Sequence, residues 1–341
     1  MHLLRIDTSL ENRWDKYVEQ RTSTVSDLSG WRHVVHETYG IRSHFIAVED
    51  NDALIGALAL FEIEHPLFGH YLTTAAFSTD GGLHYDSDDA RDLLVEEAKH
   101  LADELQVEYL LIRTRGLQIE GFKQDQHYRT AVLDLHAGVD SVWMEAIRGK
   151  ARNHVRRGIK EGFTIHKGHD QLSDFHRVFH THMRDLGSPA HSKVFYQNII
   201  KFLGERAQFI VVREGKSLVG GALLFEVNGT AMNLHTVSLM KYNRRCPNYL
   251  LYWDMIKSSC ERGNKRFDMG RSEADSSNLK FKENWGTKIV ELDYNYYLRG
   301  LTDIPYVDPR NRRYQLPIAI WKKLPLSVTG VLGPRLIKGL A

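Results

Sequence analysis

Residues 45–63, FIAVEDNDALIGALALFEI, align without a gap to residues 209–227, FIVVREGKSLVGGALLFEV, at a constant offset along the chain. The identities of this repeat include Phe45/Phe209, Ile46/Ile210, Val48/Val212, Leu54/Leu218, Gly56/Gly220, Leu60/Leu224, Phe61/Phe225 and Glu62/Glu226. Two unrelated hairpins would share an apolar pattern, but they would not be expected to share a glycine and a Phe-Glu pair in register. Because the period is about half of the chain, the repeat indicates a duplicated domain and not a solenoid.

Each copy has the pattern of a β-hairpin, in which a polar turn at 50–52 or 214–216 separates two apolar strands. Helical patterns precede both hairpins, and a further helix and strand follow each of them. The predicted segments are helices at Leu28–Tyr39, Asp88–Leu105, Leu172–Leu186, Val194–Leu203 and Tyr249–Arg262 and strands at Glu108–Arg113, Ala131–Leu135, Thr230–Leu239, Lys265–Met269 and 288–298. This order predicts an α+β fold in which a mostly antiparallel sheet is flanked by helices in each half.

The chain has 341 residues, which is enough for two hydrophobic cores. We expect domains at 1–140 and 141–300, followed by a basic tail at 301–341. The net charge of +2 creates no strong field directed at nucleic acid, and two cysteines cannot form a disulfide framework. The sequence shows no signal peptide and no apolar stretch of about 20 residues, so we expect a cytoplasmic location.

The tail at 301–341 carries seven Lys and Arg residues against two Asp residues, with apolar side chains between them. One hypothesis places this tail on an anionic membrane surface, as a peripheral contact at the inner face. The hypothesis that we favour is that the tail packs back on the body of the protein, because its prolines interrupt any long amphipathic helix.

Charged and polar side chains are concentrated in Phe267–Thr287, FDMGRSEADSSNLKFKENWGT. We expect an apolar strand to end at Gly270, followed by a polar loop and a short basic and aromatic turn. The loop offers a guanidinium, Arg271, that can clamp an anion, a hydroxyl, and two carboxylates, Glu273 and Asp275. Loops held between regular elements often carry binding sites, and the alternative is a solvated connection between two core elements.

A second informative segment is Lys150–Lys167, KARNHVRRGIKEGFTIHK. On a helix its basic side chains form two rows, the first with Lys150, His154 and Arg157 and the second with Arg152 and Arg156. Like charges repel one another at this spacing, so such rows lower the stability of a helix unless they have a function. This favours a surface that binds phosphate, pyrophosphate or carboxylate. A solvated basic face and an RNA-binding surface are the alternatives.

His176 and His180 have the spacing of two zinc ligands on one helix. No glutamate follows the first histidine and no third ligand is fixed by the pattern, so we predict no metal site. The sequence also lacks a nucleophile elbow, a Walker loop, a dinucleotide-binding fingerprint and a Cys-His pair of recognisable spacing. Covalent catalysis therefore has no support from the sequence.

Three segments of the second half resemble one known family. KARNHVRRGIKEGF at 150–163 resembles the Lys-x-Arg-Asn-x-Val/Ile helix of FemAB/FemX-type proteins, and MRDLGSPAHSKVFYQNI at 183–199 resembles their Met-x-Asp-Leu-Gly-Thr-Pro segment. FDMGRSEADSSNLKFKENWGT resembles their Phe-Asp-x-Gly-Arg-Ser and Phe-Lys-x-x-Trp-Gly signature. The first half agrees more loosely, through DLSGWRHVVHETYG at 27–40. Within the family, the sequence is most similar to the Fem-like proteins associated with exosortase and exopolysaccharide systems.

This resemblance implies two tandem GNAT-type acyltransferase domains that transfer an acyl or aminoacyl group to an amine. Classical members of the family take aminoacyl-tRNA and build peptidoglycan cross-bridges, and those that act on tRNA often carry a coiled-coil arm. The sequence shows no such arm, which favours acyl-CoA as the co-substrate, with aminoacyl-tRNA as the alternative. The implied acceptor is a glycan or a lipid-linked precursor, and nucleic acid is a partner only if tRNA is the donor. The rival hypothesis is a non-catalytic GNAT-like protein that serves in the assembly of a polysaccharide or exosortase system.

The reaction implied is direct attack of an acceptor amine on a bound thioester or ester, aided by positioning and by a general base. The candidate bases are Glu273 and Asp275, and then His235. The residues expected to bind substrate are Lys150, Arg152, Asn153, Arg156, Arg271, Ser272, Lys280, Lys282 and Trp285. Those expected to bind acyl-CoA at a helix N-terminus are Arg244, Arg245, Asn248 and Tyr249. We also expect Phe267–Thr287 to face Lys150–Arg157 across a cleft.

Overall fold

The computed structural model describes residues 1–305 and 312–341, without the side chains of 312–314. The strands are β1 (His2–Arg5), β2 (Arg42–Asp50), β3 (Ala53–His65), β4 (Gly69–Thr73), β5 (Leu83–Tyr85), β6 (Tyr109–Thr114), β7 (Lys123–Asp134), β8 (Thr164–Lys167), β9 (Ala207–Glu214), β10 (Ser217–Val227), β11 (Thr230–Ser238), β12 (Arg266–Glu273) and β13 (Lys288–Leu298). The α-helices are α1 (Glu11–Val18), α2 (Ser29–Tyr39), α3 (Asp88–Glu104), α4 (Gly138–Ser141), α5 (Gly149–Lys160), α6 (Leu172–Leu186), α7 (Lys193–Leu203), α8 (Pro247–Glu261), α9 (Ser277–Glu283), α10 (Arg312–Trp321) and α11 (Leu326–Ile337).

Contacts divide the chain into two compact units. The first consists of Met1–Thr130, Val290–Tyr306 and Lys338–Ala341, and the second of Ala131–Ile289 and Val307–Ile337. In the first unit the strands follow the order β1-β2-β3-β4-β6-β13, with β5 paired to β3, and in the second they follow the order β12-β11-β10-β9-β8. Helices pack on both sheets, so the predicted α+β class is confirmed.

The two copies of the repeat form hairpins with the same register. In β2–β3, Phe45 pairs with Ala59, and in β9–β10 the equivalent Phe209 pairs with Leu223. Both hairpins also contain a β-bulge at the same place, at Ile55 in the first copy and Val219 in the second. A shared bulge changes the twist of both hairpins in the same way. The duplication predicted from the sequence therefore extends to details of the backbone.

Glycine in the repeat is required by the close approach of neighbouring strands as well as helices, because a Cβ on Gly220 would lie 2.7 Å from Val237 O of β11 and a Cβ on Gly221 would lie 2.9 Å from Ile210 O of β9. Gly220 and Gly221 of β10 are adjacent and point to opposite faces. A Cβ on Gly220 would lie 3.4 Å from Leu251 of α8, and a Cβ on Gly221 would lie 3.2 Å from Phe175 of α6. The two helices therefore cover opposite faces of the second sheet, and each comes close to the backbone of β10.

A parallel strand pair occurs at the equivalent place in each unit. In the first unit, β4 and β6 pair from Tyr71↔Tyr109 to Thr73↔Leu111. In the second unit, β11 and β12 pair from Thr230↔Arg266 to Met232↔Asp268. Both strands of the second pair continue beyond this short ladder, β11 to Ser238 and β12 to Glu273. The carboxyl-terminal parts of the two parallel strands therefore extend in the same direction beyond the ladder, and sites in open sheets commonly form at this edge.

The limits of the units differ from the domain limits expected from the sequence. The expected border was at 140/141, whereas the units divide at Thr130/Ala131, within β7. Residues 290–300 were expected in the second domain and the residues after them in the tail, but Val290–Tyr306 belongs to the first unit because β13 pairs with β6 from Asp293↔Thr114 to Leu298↔Tyr109. A strand that returns to the first half in this way leaves no mark in the amphipathic pattern of its own sequence.

The strand expected to end at Gly270 continues to Glu273. Gly270 has φ 76°, a left-handed conformation that favours glycine, and a Cβ there would lie 2.8 Å from the carbonyl oxygen of Asn233. Glycine therefore allows β12 to pass close to β11 without ending. The polar loop is shorter than predicted, because α9 begins at Ser277 with the Ser276 side chain accepting a hydrogen bond from Leu279 N.

The described part of the tail forms α10 and α11, and α11 packs on α6. Proline lies inside both helices, at Pro317 and Pro334. Residues 306–311 of the tail lie outside the described residues. No helix in the described ranges is both long enough and apolar enough to cross a bilayer.

Candidate functional site

Strands β11 and β12 carry buried polar side chains at the end of their parallel ladder and beyond it, and these side chains form hydrogen bonds. Asp268, Asn233 and Ser272 are each at most 5% exposed. Asp268 Oδ1 accepts a hydrogen bond from Gly270 N at 2.8 Å, and Asn233 Nδ2 donates to the Tyr252 hydroxyl at 3.0 Å. Burying polar groups is costly unless they are paired, and these hydrogen bonds offset that cost.

Lys282 is the most unusual member of this cluster, because a lysine is almost never fully buried. Its side chain extends from α9 and is 2% exposed, and its Nζ donates to the carbonyl oxygens of Gly270 at 2.6 Å and Arg271 at 3.1 Å. Burial lowers the pKa of Lys282 to about 8, while the nearby Asp268 carboxylate acts in the opposite direction. An ammonium has three donors, and these two carbonyls use two of them.

His235 lies on β11 just beyond the bulge at Leu234, which interrupts the pairing with β10. Its ring packs on Phe179 of α6 with centroids 4.6 Å apart, and its Nε2 is buried without a hydrogen-bond partner among the described residues. Burial lowers the pKa of His235 to about 4, so the imidazole is neutral at neutral pH. Asn233, in contrast, bonds to Tyr252 of α8, on the other face of the sheet.

Of the first candidates for a general base, Glu273 is the last residue of β12 and Asp275 lies in the loop before α9. Asp275 is exposed and Glu273 is half-buried. Glu273 O accepts hydrogen bonds from the backbone and the side chain of Ser276, so this loop is tied to the start of α9. Both carboxylates are therefore within a few residues of the buried cluster but nearer to solvent.

Helix α8 packs on β11, and its N-terminus is not capped by a side chain. Its cap residue is Cys246, at φ 59° and ψ 38°, and Pro247 follows it in the first turn. The backbone N–H groups of the first turn of a helix, together with its dipole, attract anions. Asn248 Oδ1, in the same turn, is buried and has no hydrogen-bond partner among the described residues.

The two arginines expected to bind the donor are in different environments. Arg245 forms ion pairs with Glu161 and with Glu214 and packs over the Phe163 ring. These pairs raise its pKa, the hydrogen bond to Glu161 being the largest cause. Arg244 is exposed. Arg245 therefore holds the loop before α8, and Arg244 is the arginine whose side chain faces solvent.

Helix α5 contacts α8 and contains the predicted basic rows. A Cβ on Gly158 would lie 3.0 Å from the carbonyl oxygen of Cys246, so the two helices touch at this glycine. Lys150, Asn153 and Arg156 are exposed, as the prediction requires for groups that bind substrate. Arg152 differs, because its Nη1 donates to the carbonyl oxygens of Trp143, Met144 and Ile147.

Arg152 and Trp285 thus have contacts that differ from the expected ones. The Arg152 guanidinium satisfies carbonyl groups at the end of the π turn Val142–Ala146. Trp285 is fully buried in the core of the second unit and stacks on Tyr249 with centroids 5.8 Å apart. Both residues were expected to bind substrate. In the structure the Arg152 side chain bonds backbone carbonyls and the Trp285 side chain packs in the core. Among the other expected residues, Lys280 is exposed and Ser272 is buried.

The segment Phe267–Thr287 contacts the residues that immediately precede α5, so it lies near the start of Lys150–Arg157, and the cleft between the two segments stays a prediction. Arg148 N donates to Asn284 O at 3.1 Å, immediately before α5 begins. Gly286 has φ 74°, and a Cβ there would lie 2.1 Å from the carbonyl oxygen of Ala146. The glycine is therefore required for the turn after α9 to pack on the turn before α5.

The fold also forms a Cys-His pair that the sequence does not reveal. Cys246 Sγ lies 3.4 Å from His154 Nδ1, although the residues are 92 positions apart. Burial raises the pKa of the Cys246 thiol. Tyr249 stacks on the same histidine ring with centroids 4.6 Å apart. A raised thiol pKa keeps the sulfur protonated near neutral pH, so this pair does not have the properties of an activated nucleophile.

The first unit has its own cavity, of about 300 Å³, close to the carboxyl end of β6. Asp27 is fully buried there. Its Oδ2 accepts hydrogen bonds from Thr22 at 2.6 Å and from His84 at 2.7 Å, and its Oδ1 has no partner among the described residues. Asp80, also on this cavity, pairs with Arg115 at 2.8 Å. None of these residues was predicted from the sequence. The signal that was available is the repeat, because a duplicated domain has a parallel strand pair, and hence a possible site beyond that pair, in both units.

No group of three or more His, Cys, Asp or Glu residues in the described ranges is placed to hold a metal ion. His176 Nε2 lies 3.2 Å from the carbonyl oxygen of His191, and His180 Nε2 lies 3.0 Å from Thr329 Oγ1. Both histidines therefore have partners within the second unit.

Comparison with known proteins is consistent with this geometry. Residues 145–283 match the family model described as an acetyltransferase (GNAT) domain. The fold is similar to the crystal structure of FemX, with a TM-score of 0.68 and 16% identity over 88% of this chain and 98% of that chain. It is also similar to a tandem GNAT protein from the clavulanic acid biosynthesis pathway, with a TM-score of 0.56 and 11% identity over 89% and 99% of the two chains.

A third similar structure is the C-terminal domain of a putative lysylphosphatidylglycerol synthetase from Agrobacterium fabrum, with a TM-score of 0.58 and 11% identity over 84% and 91% of the two chains. No curated protein matches the sequence. The chain therefore has a tandem GNAT fold, as predicted. The resemblance to FemX-type proteins is confirmed.

Proposed function

We propose that this protein is an N-acyltransferase that moves an acyl or aminoacyl group from an activated donor to an amine, at the carboxyl ends of β11 and β12. The observation that carries the proposal is the buried Lys282 ammonium, held by two carbonyls beside the parallel strand pair of a GNAT domain. Buried groups with strongly shifted pKa values are concentrated at functional sites. The GNAT match and the FemX-like fold support the same class of reaction.

In the proposed reaction, the acceptor nitrogen attacks the carbonyl carbon of a bound thioester or ester. The new C–N bond forms and the bond from carbon to the leaving sulfur or oxygen breaks, so negative charge passes through the carbonyl oxygen to the leaving group. The third N–H of Lys282 would donate a hydrogen bond to the developing oxyanion, and such electrostatic stabilisation is often the largest single catalytic contribution. The amine must also lose a proton, and Glu273, Asp275 or the neutral His235 would accept it.

We propose acyl-CoA as the donor. The first turn of α8 supports this choice, because it offers backbone N–H groups, the buried acceptor Asn248 Oδ1 and the exposed Arg244 nearby. A pyrophosphate would bind the N–H groups, and an amide of the donor would satisfy the asparagine oxygen. Lys150, Arg156 and Arg157 on α5 would add positive charge. The same basic face would also suit the phosphates of aminoacyl-tRNA, which is the alternative donor.

The acceptor that we propose is an amine of a cell-envelope glycan or of a lipid-linked precursor. The similarity in fold to FemX and to a putative lysylphosphatidylglycerol synthetase supports an acceptor of this general kind. Both the donor and such a precursor are present in the cytoplasm, and we propose that location. A link to a polysaccharide or exosortase system and a purely binding role belong to the same set of hypotheses.

The pH dependence of stability provides a test of the Lys282 environment that does not require a substrate. The pKa of Lys282 is about 8 in the folded protein and 10.5 ordinarily, so between these values the unfolded chain binds more protons. Stability from this group therefore rises with pH in that window. We expect the difference in unfolding free energy between wild type and Lys282→Met to change steadily from pH 8 to pH 10, as measured by urea unfolding. A difference that stays constant with pH would show that the lysine is not desolvated.

Thermal-shift measurements identify the donor. We expect acyl-CoA to raise the melting temperature of the wild-type protein in a concentration-dependent manner, because a ligand that binds the folded state stabilises it. Arg244→Ala is expected to weaken this shift, whereas Lys288→Met, which removes an exposed lysine from the start of β13, should leave it unchanged. A shift with charged tRNA and none with any acyl-CoA would replace the proposed donor by the alternative.

A further inference from the structure

The helices α10 and α11 have an inner face that is attached to the second unit. Trp321 Nε1 donates to the carbonyl oxygen of Ser188 at 3.1 Å, and Thr329 Oγ1 lies 3.0 Å from His180 Nε2. A Cβ on Gly333 would lie 3.1 Å from the carbonyl oxygen of Ala190, so α11 approaches the backbone closely at this point. These contacts fix the orientation of both helices.

The outer face of the same two helices is aliphatic and exposed. Leu316 and Ile320 lie one turn apart on α10 and are 68% and 53% exposed. On α11, Val331 is 58% exposed, and Val328 and Leu332 are each 38% exposed. Monomeric soluble proteins rarely expose large aliphatic side chains in a group, and such groups mark surfaces that interact with a partner.

The charged residues of the helix pair itself have a single sign. Lys322 and Lys323 are exposed at the end of α10, between the two groups of aliphatic side chains. From residue 312 to residue 341 the sequence contains six Lys and Arg residues and no Asp or Glu. Aliphatic side chains combined with basic residues on one surface are complementary to the headgroups and upper acyl chains of an anionic bilayer.

We propose that the outer face of α10 and α11 docks this protein on the surface of an anionic phospholipid membrane. The aliphatic side chains would enter the boundary between headgroups and acyl chains, and Lys322 and Lys323 would bind lipid phosphates. Neither helix is long enough to cross the bilayer, so the contact is peripheral. This surface deepens the proposed function, since it rests on the proposal that the acceptor is lipid-linked and would hold the protein where such an acceptor is found.

The position of proline in the two helices fits this arrangement. Pro317 and Pro334 lie inside the helices, and tertiary contacts of the inner face, not helix propensity, hold both helices in shape. The membrane face is therefore prepared before contact with lipid, and docking does not require a segment to fold. The two hypotheses for the tail, packing on the body of the protein and contact with a membrane, would then both apply to this helix pair. Its inner face packs on the second unit and its outer face would bind lipid.

Vesicle flotation tests this proposal with the purified full chain. The probes are phosphatidylcholine vesicles and vesicles in which about a third of the lipid is phosphatidylglycerol, a fraction that gives a strongly negative surface potential. We expect wild-type protein to float with the anionic vesicles and not with the neutral ones, and we expect added salt to weaken the binding.

Three variants separate the contributions. Ile320→Ser/Val331→Ser is expected to reduce binding to anionic vesicles at least about tenfold, because it removes apolar surface that would be buried in lipid. Lys322→Ser/Lys323→Ser is expected to weaken binding and to reduce its dependence on salt. The matched control is Leu67→Ser, since Leu67 is 71% exposed but lies in the first unit. This control should bind as the wild type does.

Other outcomes would overturn the proposal. Absence of flotation, or equal flotation of wild type and Ile320→Ser/Val331→Ser, would exclude docking through this face. If sedimentation velocity shows a dimer that the same double variant abolishes, while wild type does not bind vesicles, the face is an interface between two copies of the chain. Transfer to a small soluble amine should be unchanged in all three variants, so a failure of membrane docking is distinguished from a failure of the proposed reaction.

Discussion

Lys282→Met is expected to reduce kcat/KM for acyl transfer by about 10²–10³-fold, which is the usual effect of removing one donor to an oxyanion. The wild-type ammonium is buried and held at 2.6 Å from Gly270 O, so no solvent-exposed cation can replace it at this position. Methionine has a similar length but no donor, and most of the loss should therefore be in kcat. Steady-state kinetics with a fixed donor and a varied amine measure this effect.

The wild-type pH profile provides the control that does not depend on folding of the variant. If the protonated Lys282 is the active form, kcat/KM should fall as pH rises through its pKa of about 8. Lys288→Met should show the same fall, because this lysine is exposed at the start of β13. A Lys282→Met variant that is folded, by circular dichroism and thermal melting, and that retains wild-type kcat/KM would exclude the proposed role.

Gly286→Ala is expected to destabilise the protein by about 3 kcal/mol or more. A left-handed conformation costs a residue with a Cβ about 1–2 kcal/mol, and here the new Cβ would also lie 2.1 Å from Ala146 O, so the backbone must move. This movement would separate the turn after α9 from the turn before α5. Urea unfolding followed by tryptophan fluorescence measures the change, since Trp285 is buried beside the altered position.

Gly162→Ala is the matched control for this prediction. Gly162 has φ 75°, nearly the same as Gly286, but a Cβ there would have no atom within 4 Å. The control therefore has the conformational cost without the steric overlap, and we expect it to lose only about 1–2 kcal/mol. Equal losses in the two variants would show that the contact with Ala146 does not determine the stability of this turn.

The repeat made the duplicated hairpins predictable, because two strands with shared glycine and Phe-Glu positions impose the same register and the same bulge. Helix positions were also predictable from apolar periodicity. For example, α6 spans Leu172–Leu186 as expected, ending at Gly187 in a left-handed conformation. Local patterns contain this information because helices and hairpins are determined by residues that are near one another in sequence.

Features that depend on distant contacts were not predictable. The contact between Cys246 and His154 and the return of β13 to the first unit join parts of the chain that share no local pattern. The functional segment Phe267–Thr287 was recognised, but the sequence could not show that Lys282 is buried while Lys280 is exposed. Their burial depends on how α9 packs on β12, not on the spacing of two lysines.

Replacing Arg271 and replacing Lys282 by alanine are expected to differ in their effect on thermal stability. From the sequence, replacing Arg271 or Lys282 by alanine should abolish transfer with little effect on melting. In the structure Arg271 is exposed, whereas Lys282 binds two carbonyls inside the fold. We now expect only the Arg271 variant to melt like the wild type, because removing Lys282 leaves buried acceptors unsatisfied.

The central claim is that acyl transfer takes place at the carboxyl ends of β11 and β12 and requires Lys282. The most direct test is mass-spectrometric detection of the acylated amine formed by wild type, Lys282→Met and Lys288→Met, with acyl-CoA and charged tRNA supplied as donors in parallel. The account predicts product with acyl-CoA from wild type and Lys288→Met and a large loss with folded Lys282→Met. Equal product from all three proteins would contradict it, as would the absence of product from wild type with both donors.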